Sequence, residues 1–429
     1  MRINKIKGTI DFFGYEVEKY RYIEKICVDI AKKFGYSEVI TPIFESTDVF
    51  VRSVGESSDI VNKEMYTFTD RGNRNLTLRP EGTAPMMRMF IENKLYVNPG
   101  LAKYYYFGPI FRYERPQKGR YHQFTQFGVE TYGLENPLLD ADVINLACKI
   151  MNALGIENVK VCLNSLGSKE ARNAYVPALK EYFAPHLEEM CPDCKVRFEK
   201  NPLRMLDCKA DANTEIMNNV PRISDYLTEE DKTYFEDLKN ALDALGIKYE
   251  VSDKLVRGLD YYSNDVFELI YDNPESAING LTLCAGGRYN DMGRDFDGPD
   301  VKAIGFAFGV ERLMMALDEL GIKVPDNSKD KVTVITLGKP VKQVGLKLVD
   351  YLRNNDIPAE IDYQSDNLKP QFKLSERVNA PYIIIIGSEE VENGVFKLKN
   401  TILKTEEMRK IEELNEIFNI EGEKYAYKK

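Results

Sequence analysis

Apolar side chains at Ile23, Ile26, Cys27, Ile30 and Phe34 recur with the 3.6-residue period of one helical face. This predicts a helix over Glu16–Phe34, stopped by Gly35. Ser37–Ile43 reads as a strand, with Pro42 suited to a sheet edge. Two runs rich in Tyr and Phe, Leu101–Glu114 and Gln123–Tyr132, have strand character. The basic stretch Arg115–Tyr121 between them predicts an antiparallel hairpin with a tip longer than a tight turn needs. The segment Ser165–Glu250 is charged and helical in pattern. Strand character returns at Asp265–Tyr271 and Leu281–Cys284. Gly305–Gly309 then enters a helix with Val310, Leu313, Met314, Leu317 and Leu320 on one face.

The pattern changes after a polar break at Lys323–Lys331, which holds Pro325, Asp326, Asn327 and Ser328. Strands at Val332–Leu337, Ala359–Tyr363 and Tyr382–Ile386 alternate with helices at Val341–Arg353, Gln371–Val378 and Thr405–Phe418. That alternation predicts a small α/β domain with a largely parallel sheet. Two domains follow: residues 1–325, carrying a mostly helical insertion at about 165–250, and residues 331–429.

A chain of 429 residues exceeds one ordinary hydrophobic core, and 43% apolar residues suit a globular protein. The net charge of −10 excludes a strongly basic nucleic-acid protein, though not a local basic groove. Basic and acidic residues balance from Lys331 onward, so the negative excess lies in the first domain and the tail is the less repulsive face for a polyanion. Histidine occurs only at His122 and His186, which leaves almost no material for Ser–His–Asp catalysis or multi-histidine metal centres. No apolar run is long enough to span a membrane, and Met1–Lys5 opens no apolar leader, so a cytoplasmic location is expected. Seven cysteines in such a chain read as reduced thiols.

Four blocks carry candidate chemistry. In Thr77–Thr83, Glu81 and Thr83 flank Gly82 and could hold an ammonium group; a turn capped by Thr83 would leave the same trace. In the hairpin, period-two alternation puts Arg112 and Glu114 on one strand face and Phe124, Gln126, Gly128 and Glu130 on another. A face carrying so many charges is costly to bury, whereas a nucleotide could stack on Phe124 above the space left by Gly128. In Lys254–Tyr262, Arg257 beside Gly258 offers a planar fork for a phosphate and Tyr262 a rigid hydroxyl. Finally, Gly286–Gly287 and the glycine-rich strand before Arg312 suggest an anion site at a helix start.

In this order and spacing the four blocks resemble the histidyl-tRNA synthetases, class II aminoacyl-tRNA synthetases, over nearly the whole chain. Ser37–Glu45 sits where the class II dimer-interface motif belongs; Phe111–Glu130 and Gly305–Leu313 match the second and third class motifs. Arg79–Thr83 and Val256–Tyr262 match the two histidine-specific signatures, and Val332–Lys399 is similar to the anticodon-binding domain shared with the glycyl, prolyl and threonyl enzymes. His122, where arginine is common, and Asn290, where aspartate is usual, depart from the pattern. The resemblance implies an α+β catalytic core on an antiparallel sheet with a helical insertion, plus a C-terminal α/β anticodon-binding domain. It implies ATP with Mg²⁺, histidine and histidine tRNA as substrates, a homodimer, and no membrane partner. Arg257 and Arg112 are then the catalytic residues. Arg112, Glu114, Phe124 and Arg312 hold ATP. Glu81, Thr83 and Gln126 hold the ammonium of histidine, and Glu130 and Tyr262 the two imidazole nitrogens. Tyr261 and Gly82 line the pocket, and Arg112 and Arg257 reach the carboxylate side. Two other readings share the core: a non-catalytic regulatory subunit of ATP phosphoribosyltransferase, which lacks the anticodon domain, and a nucleic-acid-binding module using the α/β tail.

His186, Cys191, Cys194 and Cys208 spell H-x4-C-x2-C-x13-C, a spacing that could wrap zinc. A single C-x2-C in a charged, helical stretch argues for plain thiols. The stretch recurs in relatives not known as zinc proteins, so the resemblance implies no metal.

Overall fold

The computed structural model describes residues 3–55, 58–98, 100–115, 119–325, 331–421 and 425–427. Two compact units form, Met1–Val324 and Pro325–Lys429. The polar residues Asp326–Asp330 between them, and Pro116–Lys118 at the hairpin tip, lie outside the described residues.

The first unit is built on an eight-stranded sheet. Its order is Ser37–Glu38, Ala102–Phe111, Gln123–Tyr132, Ala303–Gly309, Thr282–Arg288, Ser263–Tyr271, Val159–Ser165 and Tyr249–Val251. The pairings are antiparallel except at the two edges, where the outermost strands run parallel to their neighbours. The edge strand expected over Ser37–Ile43 shrinks to Ser37–Glu38, because the chain leaves at Val39 to start a second, three-stranded sheet at Phe44–Ser46. Likewise the hairpin strand ends at Phe111, so Arg112 and Glu114 sit on the chain leaving the sheet rather than on one strand face.

Period-two alternation sorts the two faces of the central strands. Phe127 and Val129 point into the main core with Tyr105, Phe267, Leu269 and Phe308. Helices Tyr15–Lys33, Pro137–Ala153, Glu229–Ala244 and Val310–Glu319 cover that face with Ile23, Cys27, Ile144, Leu238, Leu313 and Leu317. Phe124, Gln126 and Glu130 alternate onto the opposite face, which no helix of this set covers. The insertion between Ser165 and Tyr249 is helical, as its pattern predicts, and holds its own small core around Tyr175, Leu179, Phe183 and Met205.

In the second unit the strand order is Ala359–Ile361, Val332–Thr336, Tyr382–Ile386, Val395–Asn400 and Thr405–Lys410. The first three are parallel and the last two antiparallel. The helix expected over Thr405–Phe418 is therefore mostly absent. Thr405–Lys410 pairs residue by residue with Val395–Asn400, and only Ile411–Glu413 and Leu414–Ile417 turn helical. Thr405–Lys410 has no apolar helical face to bury, while the preceding strand offers an open edge.

One buried ion pair ties helix to sheet in the first unit. Arg288, on the Thr282–Arg288 strand, donates through Nε to Asp140 Oδ2 at 2.7 Å, and both side chains are fully buried. Asp140 also accepts from the Tyr234 hydroxyl at 3.0 Å, and Arg288 donates to the Leu134 carbonyl. Removing one partner leaves the other charge unpaired in the core. Asp140→Ala should cost about 3–5 kcal/mol of stability, read as a lower urea midpoint by far-ultraviolet circular dichroism. An unchanged midpoint would show that the pair adds nothing net.

Candidate active site

The face of the large sheet opposite the helices forms the floor of a cleft of about 640 Å³. Small residues make the room. Gly305, Ala307 and Gly309 stand in register beside Glu130, Gly128 and Gln126. A Cβ on Gly305 would lie 2.0 Å from Glu130 Oε2, so only glycine lets the carboxylate lie across that strand. Glu81, Thr83, Arg112, Glu114, Phe124 and Gln126 line the cleft, as do Glu130, Arg257, Tyr261, Tyr262 and Arg312. Gly82 and Gly128 do not open space. Both pack against Tyr106, whose ring would meet a Cβ on either within 2.4 Å and whose hydroxyl donates to Gln126 Oε1 at 3.1 Å. The gap expected beneath a nucleotide at Gly128 is thus filled by Tyr106.

One half of the cleft is built from carboxylates and tyrosines. Glu81 is buried at the start of helix Thr83–Glu92 and accepts from the Thr83 and Ala84 amides, both at 2.7 Å. Those amides satisfy its charge much as a cap would, while burial raises its pKa. Glu130 is deeper still, at 1% exposure. It accepts from the Thr83 hydroxyl at 2.8 Å and from the Tyr289 hydroxyl, with no Lys or Arg among the described residues in ion-pair contact. Burial pushes its pKa up to about 8, against the lowering effect of those two hydrogen bonds. The expectation that such a face stays out of the core thus gives way: Glu130 is buried with hydroxyl partners, and burial favours its protonated form. Tyr261 and Tyr262 close this half, their rings 4.7 Å apart.

The other half is cationic. Arg112 donates to the Pro80 carbonyl at 2.7 Å and lies 5.5 Å from the Phe124 ring centre. Arg257 pairs with Glu268, which also accepts from the Thr282 hydroxyl at 3.0 Å, and its guanidinium stands 5.9 Å from the Tyr262 ring. Arg312, in the first turn of helix Val310–Glu319, donates to the Thr282 carbonyl at 3.0 Å. Burial first, then the nearby Arg120, Arg112 and Arg257, lower its pKa. Five guanidiniums line the cleft, those of Arg112, Arg120, Arg204, Arg257 and Arg312, and in a chain of net charge −10 they suit a polyanion.

Tyr289, Glu268, Arg120 and Tyr106 join the site beyond the residues that the sequence pattern singles out. Tyr289 directly follows Gly286-Gly287-Arg288, and Glu268 is the one carboxylate in the apolar run Val266–Leu269; both signals were present. His122 folds into the loop, its Nε2 2.9 Å from the Glu114 carbonyl and its ring 4.9 Å from Tyr113. Asn290 braces the ends of two central strands, donating to Glu135 at 2.7 Å and accepting from the Ala303 amide at 3.0 Å.

The Glu130 shift has a stability consequence. The folded chain binds this proton more tightly than the unfolded chain does, so the contribution is full at low pH. It is lost as pH rises from the ordinary carboxylate range through about 8. Glu130→Gln removes that dependence. The variant should be more stable than the parent by about 1–3 kcal/mol at alkaline pH and show a flatter stability profile on thermal denaturation between about pH 5 and pH 9. Parallel profiles would show that Glu130 is already ionised in the folded chain.

Comparison with known proteins agrees with this geometry. The histidyl-tRNA synthetase family model matches residues 8–313, and an anticodon binding domain model matches residues 331–419. The histidine–tRNA ligase of Anoxybacillus flavithermus is 47% identical over 395 residues, covering 92% of this chain and 93% of the relative. That of Staphylococcus haemolyticus is 46% identical over 419 residues, covering 97% and 98%. The crystal structure of apo S. aureus histidyl-tRNA synthetase aligns with a TM-score of 0.83 at 40% identity, covering 97% of this chain and 100% of that one. Arginine-lined and carboxylate-lined halves of one cleft, on this sheet and with these relatives, place the chain in the histidyl-tRNA synthetase family.

Proposed function

We propose that the cleft activates histidine with ATP and passes the histidyl group to the 3′ end of histidine tRNA. The observation that carries this reading is the division of one cleft into a guanidinium half and a buried carboxylate half. Adenylate formation needs both. A histidine carboxylate oxygen bonds to the α-phosphorus while the bond to pyrophosphate breaks, so charge must be neutralised and two substrates held in line. A regulatory, non-charging role loses ground, because relatives 46–47% identical over at least 92% of the chain are histidine–tRNA ligases.

Arg112 bridges the α-phosphate and the histidine carboxylate, Arg257 approaches the same phosphate from the other side, and Arg312 takes the γ-phosphate. Mg²⁺ enters with ATP as part of the substrate. Phe124 stacks on adenine, which its position beside Arg112 supports, and Glu114 accepts from the adenine amino group. Glu81, Thr83 and Gln126 hold the histidine ammonium. Glu130 meets one ring nitrogen as an acceptor, and Tyr262 the other, with Tyr261 lining the pocket. An analogue lacking one nitrogen leaves a buried group unpaired, so discrimination of about 10⁴ or more is within reach. The basic loop Arg115–Tyr121 contacts the acceptor end, and residues 331–429 the anticodon.

The chain acts as a homodimer in the cytoplasm. Exposed Ile40, Ile43, Phe44 and Phe68 around the Ser37–Glu45 segment support a subunit interface, and no helix among the described residues is long and apolar enough to cross a membrane.

Pyrophosphate exchange tested with each amino acid decides the reading: exchange should require histidine. Arg257→Ala should lower exchange by about 10²–10³, the effect of losing one transition-state charge partner, with histidine affinity reduced far less. Near-normal exchange in that variant would remove Arg257 from the chemistry.

A further inference from the structure

Three cysteines of the insertion meet around one point. The sulfurs of Cys191, Cys194 and Cys208 and a carboxylate oxygen of Asp211 lie within 4.8 Å of one another. His186, which the sequence grouped with them, pairs instead with Glu189 at 3.5 Å and leans toward the Tyr182 ring. Asp211 stands in the fourth position. The true spacing is C-x2-C-x13-C-x2-D, two short knuckle-like pairs rather than one C-x2-C. We propose that these four side chains form a structural zinc site that fixes the insertion.

Two edges of the group are close to those of a metal-centred tetrahedron. Bonds of about 2.3 Å to sulfur and about 2.0 Å to oxygen put tetrahedral sulfurs about 3.8 Å apart and a sulfur–oxygen edge near about 3.5 Å. The Cys191 and Cys208 sulfurs are 3.5 Å apart, and Cys208 Sγ is 3.4 Å from Asp211 Oδ2. All three cysteines are free thiols. The Asp211 amide donates to Cys208 Sγ at 3.5 Å, and the Cys191 amide donates to Asp211 Oδ2 at 3.2 Å, so backbone N–H groups orient the donors as in a built site. Cys194, Cys208 and Asp211 are buried. Among the described residues no Lys or Arg pairs with Asp211, whose buried carboxylate meets one backbone amide and the Cys208 thiol, so a cation would complete its partners. Three soft sulfurs and one oxygen gathered within 4.8 Å favour zinc over magnesium or calcium.

The surrounding chain has reason to need a metal. From Ala184 to Asp225 the insertion is made of short helical turns, none longer than the nine residues of Pro192–Lys200. They pack into the insertion core through Met190, Met205, Leu206, Met217 and Ile223, with little regular hydrogen bonding between the turns to fix them. Yet this segment must hold position: Arg204 and Asp207 line the cleft, and Asn201 donates to Asp260, within the block that carries Arg257 and Tyr262, at 2.8 Å. A metal joining Cys191 and Cys194 to Cys208 and Asp211 clasps both ends of the stretch that delivers those contacts. The inference does not depend on the proposed reaction, because its readouts are metal content and spectrum.

The test uses the full chain, purified without chelators and reconstituted with zinc or cobalt. About one zinc ion per chain should be retained and released in step with a thiol-specific mercurial. The Co²⁺ form should show thiolate-to-cobalt charge transfer and strong tetrahedral d–d bands. Cys191→Ser and Asp211→Asn should weaken zinc binding, the first by on the order of a hundredfold, while Cys148→Ser should bind like the parent. If Cys191→Ser fails to fold, the cobalt spectrum of the parent decides alone. Absence of bound zinc after reconstitution, cobalt bands without thiolate character, iron in place of zinc, a Cys191–Cys208 disulfide, or full zinc affinity in Cys191→Ser would each overturn the proposal.

Discussion

A carboxylate buried without a cation sets the terms for the cleft. Glu130 points to the sheet face that faces away from the helices, yet is almost wholly removed from water. A charge there is expensive, so burial favours the protonated form, and hydroxyls from Thr83 and Tyr289 surround the carboxyl. The neighbouring strand can carry only glycine at position 305, since any side chain would collide with the carboxylate. Tyr106 fills the space behind Gly82 and Gly128 and leaves Glu130 and Gln126 as the polar floor. Much of the local sequence is thus arranged around one acidic group.

The cationic half solves the opposite problem. Arg112, Arg120, Arg257 and Arg312 repel one another, and the protein holds them with carbonyls and carboxylates: Pro80 and Thr282 for Arg112 and Arg312, Glu268 and Glu114 for Arg257 and Arg120. These partners orient the guanidiniums without filling the cleft. A polyphosphate entering such a site meets charge already in place, which is where electrostatic preorganisation lowers a barrier. The two halves explain why a chain with only two histidines needs none of them as a base: the reaction asks for position and charge, not for a side-chain nucleophile.

The sheet and most of the site were legible because both rest on short-range rules. Alternation in Gln123–Tyr132 separates Phe127 and Val129 from Gln126 and Glu130 without knowledge of the fold, and that strand spans the residues the pattern predicts. What the sequence hid depends on contacts between distant segments. Tyr289 reaches Glu130 only because the Thr282–Arg288 strand lies two strands away in the sheet, and Glu268 reaches Arg257 only through the packing of a loop on a strand. Asp211 joins the cysteines across a turn that no periodicity marks. Thr405–Lys410 became a strand because an open edge outweighed local helical composition, the kind of tertiary override that single-sequence patterns miss.

The central claim is that Glu130 is neutral in the free chain and becomes charged when histidine arrives. Infrared difference spectroscopy reads this directly at neutral pH, comparing the chain with and without histidine. The account predicts loss of a carboxylic-acid carbonyl band and gain of carboxylate bands on histidine addition, with both changes missing in Glu130→Gln. A difference spectrum without the acid band, or the same band loss in Glu130→Gln, would contradict it.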